Sequence, residues 1–595
     1  MSQPEDPQAP RRSTDPAHTS ADPAQTVAAP TQTAPTASAP VRRRARERLA
    51  TKRETVRVHA AAMRRRTFTA GMWATRAPLW MWPALLIITA IGGGLRLFRL
   101  DFPHRMIFDE TYYVKDGYSV FTFGYERAWP EDADDSFNTG DPSVIEPDPE
   151  YVVHPPLGKW IIGAGIHLFG ADDSFGWRFS VAIIGTLTIF LIGVIAWKLF
   201  RSAFFACVAA GLLAVDGEHF VHSRTSLLDI VLMGFVLLAF FFIVLDREHV
   251  TKRLAAEAAP PPETADVADG SRPRDRGRTR RRDLANFGPR LGARPWLIAA
   301  GISIGLAMGV KWSGLYALAA FGILVVAWDV PSRYRAGAVH PWLGTLVRDS
   351  IPSFLKLVPV ALLTYLVAWT GWIRSDDAWD RQWAAENPGW WQALPDWLQW
   401  LPSLAHYHYT AYSFHVGLDS EHPYMSNPWG WIVQWRPTSF YYESYDNGSM
   451  GCVAERCSSA ITSVGNPVIW GLAPLAILAC LIVWIIRRDV RPAVILAGLA
   501  ATWLPWFAYQ ERTIFTFYTI VMVPFVVLAL TYCLTLLWGR SPGARPSWPL
   551  LARRMGVGLV LAAAVLAFAY FWPIYTGEVI PFEAWNDRMW NVTWR

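Results

Sequence analysis

The run Pro155-Pro156-Leu157-Gly158-Lys159-Trp160-Ile161-Ile162-Gly163-Ala164-Gly165-Ile166-His167-Leu168-Phe169 decides how many times this chain crosses a bilayer, and so which side every later loop faces. Its apolar part holds only about a dozen residues behind two prolines and a lysine, whereas a helix spanning the hydrocarbon core needs about 20. Eleven other apolar blocks run at residues 79–98, 177–198, 203–215, 228–245, 295–310, 313–328, 354–373, 466–486, 493–509, 513–537 and 556–575. If 157–169 does not cross, the segments on the amino-terminal side are 199–202, 246–294, 329–353, 487–492 and 538–555. These hold nearly all the loop arginines, including Arg278, Arg280, Arg281 and Arg282. They share that side with the eleven Lys and Arg between Arg42 and Arg66, the bias that marks cytoplasmic segments. If 157–169 does cross, 246–294 must be translocated against it. The sequence therefore reads as eleven spans with a cytoplasmic amino terminus and an outer carboxyl terminus. The 157–169 run becomes a short interfacial or re-entrant helix on the outer side, buried against protein.

Composition agrees. The 595 residues are 52% hydrophobic and only 17% charged, against about 25% charge in ordinary soluble domains. The 32 Trp fall mostly at block ends and in loops, where an amphipathic ring suits the headgroup layer. The first apolar block starts too late for a cleavable signal peptide. The basic tail lacks aromatic interleaving or any nucleic-acid motif, so its charge is read as topology and no nucleic-acid partner is expected. The five Cys make no disulfide framework, although Cys452 and Cys457 share one polar loop and can pair if it faces an oxidising compartment. The expected organisation is a disordered basic tail over 1–77, a membrane module over 78–373, a Trp- and His-rich outer loop over 374–465, and a four-helix membrane region over 466–595. Within the module, the first outer loop, 101–156, carries thirteen Asp or Glu against three Lys or Arg.

Absent motifs narrow the chemistry. Gly158-Lys159 lacks the upstream glycine of a phosphate-binding loop, and no Gly-x-Gly-x-x-Gly follows a strand. Asp132-Ala133-Asp134 has the form of a metal-binding triplet but lies in a generally acidic stretch. His406, His408, His415 and His422 fit no zinc spacing, so no metal site is expected. The strongest signal is Phe108-Asp109-Glu110-Thr111-Tyr112-Tyr113. Adjacent carboxylates on a helix point about 100° apart, so they cannot form the facing pair of a glycosidase; either one does chemistry while the other orients or binds, or the pair is a solvated acidic turn like its acidic neighbours downstream. His154 and Lys159 stand where the chain re-enters the membrane and suit an anionic headgroup. Arg178, Arg224, Lys311 and Arg512 lie at outward span ends, where a cation calls for a partner. Asp229 and Glu511 are structural partners for Arg224 and Arg512, while a phosphate on a lipid carrier would account for all four cations together.

The order Phe108-Asp109-Glu110, His154-Pro155-Pro156-Leu157-Gly158-Lys159, Arg178-Phe179, Ser223-Arg224 with Leu227-Leu228-Asp229, Val310-Lys311-Trp312-Ser313-Gly314-Leu315 and Glu511-Arg512 with Phe515 and Tyr518 resembles the protein O-mannosyltransferases, and the Arg/Ala-rich composition resembles their actinobacterial members. The resemblance covers about residues 79–595. It implies an all-α polytopic membrane protein of the GT-C glycosyltransferase fold, with about eleven transmembrane helices and two large extracytoplasmic loops, in the plasma membrane. It also implies mannose transfer from polyprenyl-phosphate mannose to Ser/Thr hydroxyls of exported proteins, with inversion and with no cofactor beyond the donor; a divalent ion is left open. Asp109 is then the general base and Glu110 an orienting group. His154, Lys159, Arg178, Arg224 and Arg512 are candidates for the donor phosphate. The implied partners are the lipid donor, Ser/Thr-rich exported segments and membrane lipids, with the export channel as a candidate. Two departures stand out: Val152 occupies a position that is usually Asp in eukaryotic members, and 374–465 is too short for their β-trefoil domain. The alternative is a GT-C enzyme moving another lipid-linked sugar to lipid or cell-wall glycan.

Overall fold

The computed structural model describes residues 76–258, 286–539 and 547–595, together with Thr51. The tail expected over 1–77 falls almost wholly outside these residues, as do Arg278, Arg280, Arg281 and Arg282. A helix occupies each of the eleven apolar blocks. In chain order the elements that position the site are α1 (Met81–Leu97), α2 (Glu110–Phe123), α3 (Leu157–Phe169), α4 (Ser174–Phe200), α5 (Ala203–Ala214), α6 (Gly217–His222), α7 (Leu228–Ala258), α8 (Pro295–Val310), α9 (Gly314–Arg335), α10 (Ile351–Ala368), α11 (Trp400–Gly417), β1 (Thr438–Asp446), β2 (Arg456–Ser463), α12 (Pro467–Arg487), α13 (Val490–Trp503), α14 (Val523–Trp538), α15 (Trp548–Thr576) and β3 (Ile580–Pro581). Among the described residues seven helical stretches are long and apolar enough to cross a membrane. The other four blocks hold the shorter apolar helices α1, α5, α8 and α14.

Local chemistry sets the boundaries. Asp173, Ser202 and Asn466 each accept a backbone N–H of the first turn of α4, α5 and α12, satisfying donors that a helix start leaves orphaned. The 513–537 block turns helical throughout only from Val523; before it, Thr516–Val521 forms a 3-10 turn that brings aromatic side chains to the site. The outer loop 374–465 is not simply a loop. It contains α11 and the antiparallel hairpin β1–β2, which β3 extends to a sheet of order β1-β2-β3. Cys452 and Cys457 form a disulfide at the hairpin turn.

Small residues let the helices approach closely. Gly301, Gly305 and Gly309 make one stripe of α8, and a Cβ added to either of the first two would run into the carbonyl oxygens of Leu357 and Ala361 on α10. This spacing of small residues is how membrane helices gain packing where apolar burial alone drives little association. The 157–169 run forms a thirteen-residue helix, and Gly163 meets Gly117 of α2 across it. A Cβ on Gly163 would collide with the Gly117 carbonyl oxygen, a clash that only separation of α2 from α3 relieves. Gly163→Ala is therefore expected to lower stability by about 1–3 kcal/mol. Gly94→Ala, where an added Cβ meets nothing within 4 Å, is expected to be neutral or stabilising; thermal unfolding of both variants in detergent checks the contrast.

Candidate active site

The two adjacent carboxylates at the start of α2 have opposite surroundings. Glu110 is fully buried. It accepts from Arg178 Nε and Nη2, each at 2.8 Å, from the Ser226 N–H at 2.8 Å and from the Ile107 N–H at 3.1 Å. Arg178, on the first turn of α4, gives its remaining donors to the carbonyls of Leu100, Pro103 and Arg105, so all five of its N–H groups are used. Asp109 is only partly buried. Among the described residues no donor reaches its carboxylate. Burial pushes it up to about 6, against the pull of Lys311 and with the push of Asp229.

Phe108 is what turns the chain between these environments. Its φ of +51° is left-handed, a conformation that a bulky side chain adopts only when its surroundings enforce it. Here they do: its ring stacks on Phe440 of β1 at 4.5 Å and meets the edge of Phe517 at 5.3 Å.

A cavity of about 720 Å³ is lined by apolar residues including Leu232, Val236, Leu315, Leu362 and Val416; Asp109 does not line it but interacts electrostatically with Lys311 and Asp229, which do. Its polar wall holds His154, Asp229, Lys311, Tyr365, His408, His415, Arg512 and Tyr518. Lys311, at the carboxyl-terminal cap of α8, pairs with Asp229 at 2.7 Å and lies 5.9 Å from the Tyr113 ring centre. Arg512 has no carboxylate partner among the described residues: one guanidinium nitrogen reaches His415 Nδ1 at 3.0 Å, while its buried Nε has no partner. His415 stacks with His154 at 5.3 Å, and its Nε2 donates to Val153 O at 3.1 Å. That bond leaves Nδ1 as an acceptor toward Arg512. Burial and the Arg512 charge lower His415 to about 4; burial and Lys311 hold His154 well below its usual value. Both rings are neutral near pH 7 and Lys311 is balanced by Asp229, so the unbalanced positive charge of the cavity lining is that of Arg512.

Of the residues expected to hold a donor phosphate, His154 and Arg512 line this cavity. The other three do not, and the reason in each case is a protein partner. Arg178 is consumed by Glu110 and carbonyls. Lys159 is 1% exposed between Glu126 at 2.7 Å and Asp116 at 3.3 Å. Arg224 donates to the carbonyls of Leu95, Arg96, Phe98 and Arg99, capping the negative end of α1. Its expected partner Asp229 goes to Lys311 instead, and Glu511 is exposed and makes no ion pair among the described residues. Glu110 is likewise withdrawn from any substrate and cannot orient an acceptor directly. The sequence signals for Lys311 are its standing as an out-of-place cation and its place in the run Val310-Lys311-Trp312-Ser313-Gly314-Leu315. Of the histidines, His406 bonds Asp380, His408 bonds Tyr365, and His422 accepts from the Tyr424 N–H, so with His415 the four serve separate partners. Asp134 pairs with Lys115.

A buried charge-assisted cluster, a carboxylate without a donor and a cavity with both cationic and apolar lining thus occur together in a helical, membrane-spanning chain. The structure of the S. cerevisiae protein O-mannosyltransferase Pmt1-Pmt2 complex bound to the sugar donor matches with a TM-score of 0.63 at 15% identity, over 89% of this chain and 94% of that one. Residues 400–594 match the C-terminal four TMM region of protein-O-mannosyltransferase, and residues 153–254 and 288–346 match dolichyl-phosphate-mannose-protein mannosyltransferase models. The polyprenol-phosphate-mannose–protein mannosyltransferase of Mycolicibacterium smegmatis is 34% identical over 524 residues, 86% of this chain and 93% of that protein. That of Corynebacterium glutamicum is 33% identical over 531 residues, 88% and 94% respectively. The chain belongs to the polyprenol-phosphate-mannose–protein mannosyltransferase family.

The two carboxylates are expected to differ in stability as they differ in contacts. Glu110→Gln leaves the buried Arg178 charge uncompensated and should cost about 3–5 kcal/mol. Asp109→Asn removes a charge that meets no donor and should leave the midpoint of thermal unfolding unchanged or slightly raised; equal losses for the two variants would contradict this division of roles.

Proposed function

We propose that this protein transfers mannose from polyprenyl-phosphate mannose to Ser or Thr hydroxyls of exported protein segments at the outer face of the plasma membrane. The observation that carries the reading is the Asp109 carboxylate, free of donors and within electrostatic reach of Lys311 and Asp229, two residues lining a cavity that also holds Arg512 and many apolar side chains. Asp109 takes the hydroxyl proton as the oxygen attacks C1 of mannose. The C1–O bond to phosphate breaks, and polyprenyl phosphate departs with the electron pair. The phosphate's charge is met by Lys311 and Arg512, with His415 holding Arg512 in place. Phosphate leaves without being protonated, so a single base suffices and a single displacement inverts C1. The prenyl chain remains among Leu232, Val236, Leu315, Leu362 and Val416. The name of the relatives supports the donor and the protein acceptor. The loop charges support a cytoplasmic amino terminus and an outer carboxyl terminus, and the export channel remains a candidate partner. Nothing in these steps calls for a resident cofactor.

The test is transfer of labelled mannose from polyprenyl-phosphate mannose to a Ser/Thr-Pro peptide in membranes carrying the intact protein or Asp109→Asn. The intact chain should label the peptide, and the variant should lose about a hundredfold or more. Absence of label from a folded protein that still binds the donor would shift the assignment to another lipid-linked sugar transferase. Because the base works deprotonated and titrates at about 6, kcat/KM is expected to be level above that pH and to fall about tenfold per unit below it; a pH profile flat down to pH 5 would remove Asp109 from the role.

A further inference from the structure

β1 is an edge strand. In the order β1-β2-β3 it pairs on one side only, and among the described residues no other backbone segment bonds to its ladder. Alternate residues of an antiparallel strand turn both N–H and C=O away from the neighbour, so Tyr441–Asp446 present an unpaired row opposite β2. Tyr442, Ser444 and Asp446 are exposed. Free edges of this kind are usually blunted by Lys, Pro or a covering element. This one is nine residues long, Thr-Ser-Phe-Tyr-Tyr-Glu-Ser-Tyr-Asp, without Lys or Pro; its irregularity lies between Ser439 and Tyr441, which leaves Tyr441–Asp446 in regular register.

The strand also leads to the base. Its pairing with β2 slips between Ser439 and Tyr441, and the residue at that irregularity is Phe440, whose ring stacks on Phe108, the residue before Asp109. Arg105 pairs with Glu443, holding the segment that carries Asp109 against β1. At its far end the hairpin is closed by the Cys452–Cys457 disulfide, and Cys457 pairs with Pro581 of β3. The edge is thus a braced rail about 20 Å long over six residues, starting next to Phe440, whose ring contacts the residue before Asp109.

We infer that the acceptor protein binds as an extended segment that adds a strand to the free edge of β1, placing its Ser or Thr at the Phe440 end beside Asp109. The inference rests on the protein-mannosylation reading and specifies how that acceptor is held. Strand addition draws affinity from main-chain hydrogen bonds, so it demands an unfolded backbone and little of the acceptor's side chains beyond the hydroxyl.

The experiment uses the intact protein, labelled polyprenyl-phosphate mannose and a synthetic peptide with one central Thr, in which each backbone amide in turn is replaced by an ester. An ester removes the N–H without adding bulk. Strand addition predicts KM raised about tenfold at every second position on one flank of the Thr and less than about twofold at the positions between, with kcat unchanged. Equal effects at successive positions, or none at any, would overturn the edge while leaving mannosyl transfer standing. Failure of the all-amide peptide to accept mannose would instead overturn the transfer reading, and the edge inference with it.

Discussion

The bidentate pair between Arg178 and Glu110 is the constraint on which the outer half of this molecule depends. Both side chains are fully buried, and taking an unpaired charge out of water is far more costly than most single interactions can offset. The structure meets that cost by saturation. Every Arg178 donor is used, and Glu110 accepts from four N–H groups. Those bonds fasten three separate stretches to one point: the turn after α1 through the carbonyls of residues 100, 103 and 105, the first turn of α4, and the Ser226 amide just before α7. Glu110 is thus the anchor, while the adjacent Asp109 is left without a donor; under the proposed function the two carboxylates would work as anchor and reagent.

A second pattern governs the charges at the two ends of α8. The helix is about 24 Å long, with Arg294 at its amino-terminal cap and Lys311 at its carboxyl-terminal cap. Arg294 sits at the positive end of the helix dipole and is held by two aspartates, Asp246 at 2.5 Å and Asp329 at 2.6 Å. Lys311 sits at the negative end, where the dipole favours a cation, and it is held by Asp229 alone. Arg294 is therefore surrounded by two carboxylates, while Lys311 forms a one-to-one pair in the cavity lining. Cations at opposite ends of one helix serve structure in one place and the site in the other.

The membrane architecture is legible in the sequence because it rests on block length and on the sign of loop charge, both local properties of the chain. The motif-bearing residues are legible too, but their partners are not. Arg224 and Asp229 are five positions apart and of opposite sign, and proximity in sequence suggests a pair; α7 begins between them and directs Asp229 to Lys311, 82 residues away. Lys159 reads as free because its partners, Asp116 and Glu126, lie in an acidic loop that reads as solvated until α2 and α3 pack through Gly117 and Gly163. The hairpin has a sequence signal that the wider composition hides: an aromatic, hydroxyl-rich run, then Asn447-Gly448, then a second run of small and β-branched residues is a turn-flanked strand pair. In a chain with 32 Trp its aromatic residues resemble more of the interfacial loop.

The left-handed Phe108 joins these themes. A bulky residue in that region of backbone space costs about 1–3 kcal/mol and persists only where surrounding structure over-determines it. The opposing stabilisation comes from Phe440 on β1 and Phe517 in the turn before α14, both supplied by the carboxyl-terminal part of the chain. The conformation of the turn that carries Asp109 is thus encoded in the first outer loop but held by residues more than 300 positions later. His222, fully buried with neither ring nitrogen bonded, packs against the same two rings at 5.4 and 5.9 Å, so the aromatic cluster also reaches α6. Aromatic stacking is well suited to hold this turn, because it fixes a ring plane without placing a hydrogen-bond donor near the Asp109 carboxylate.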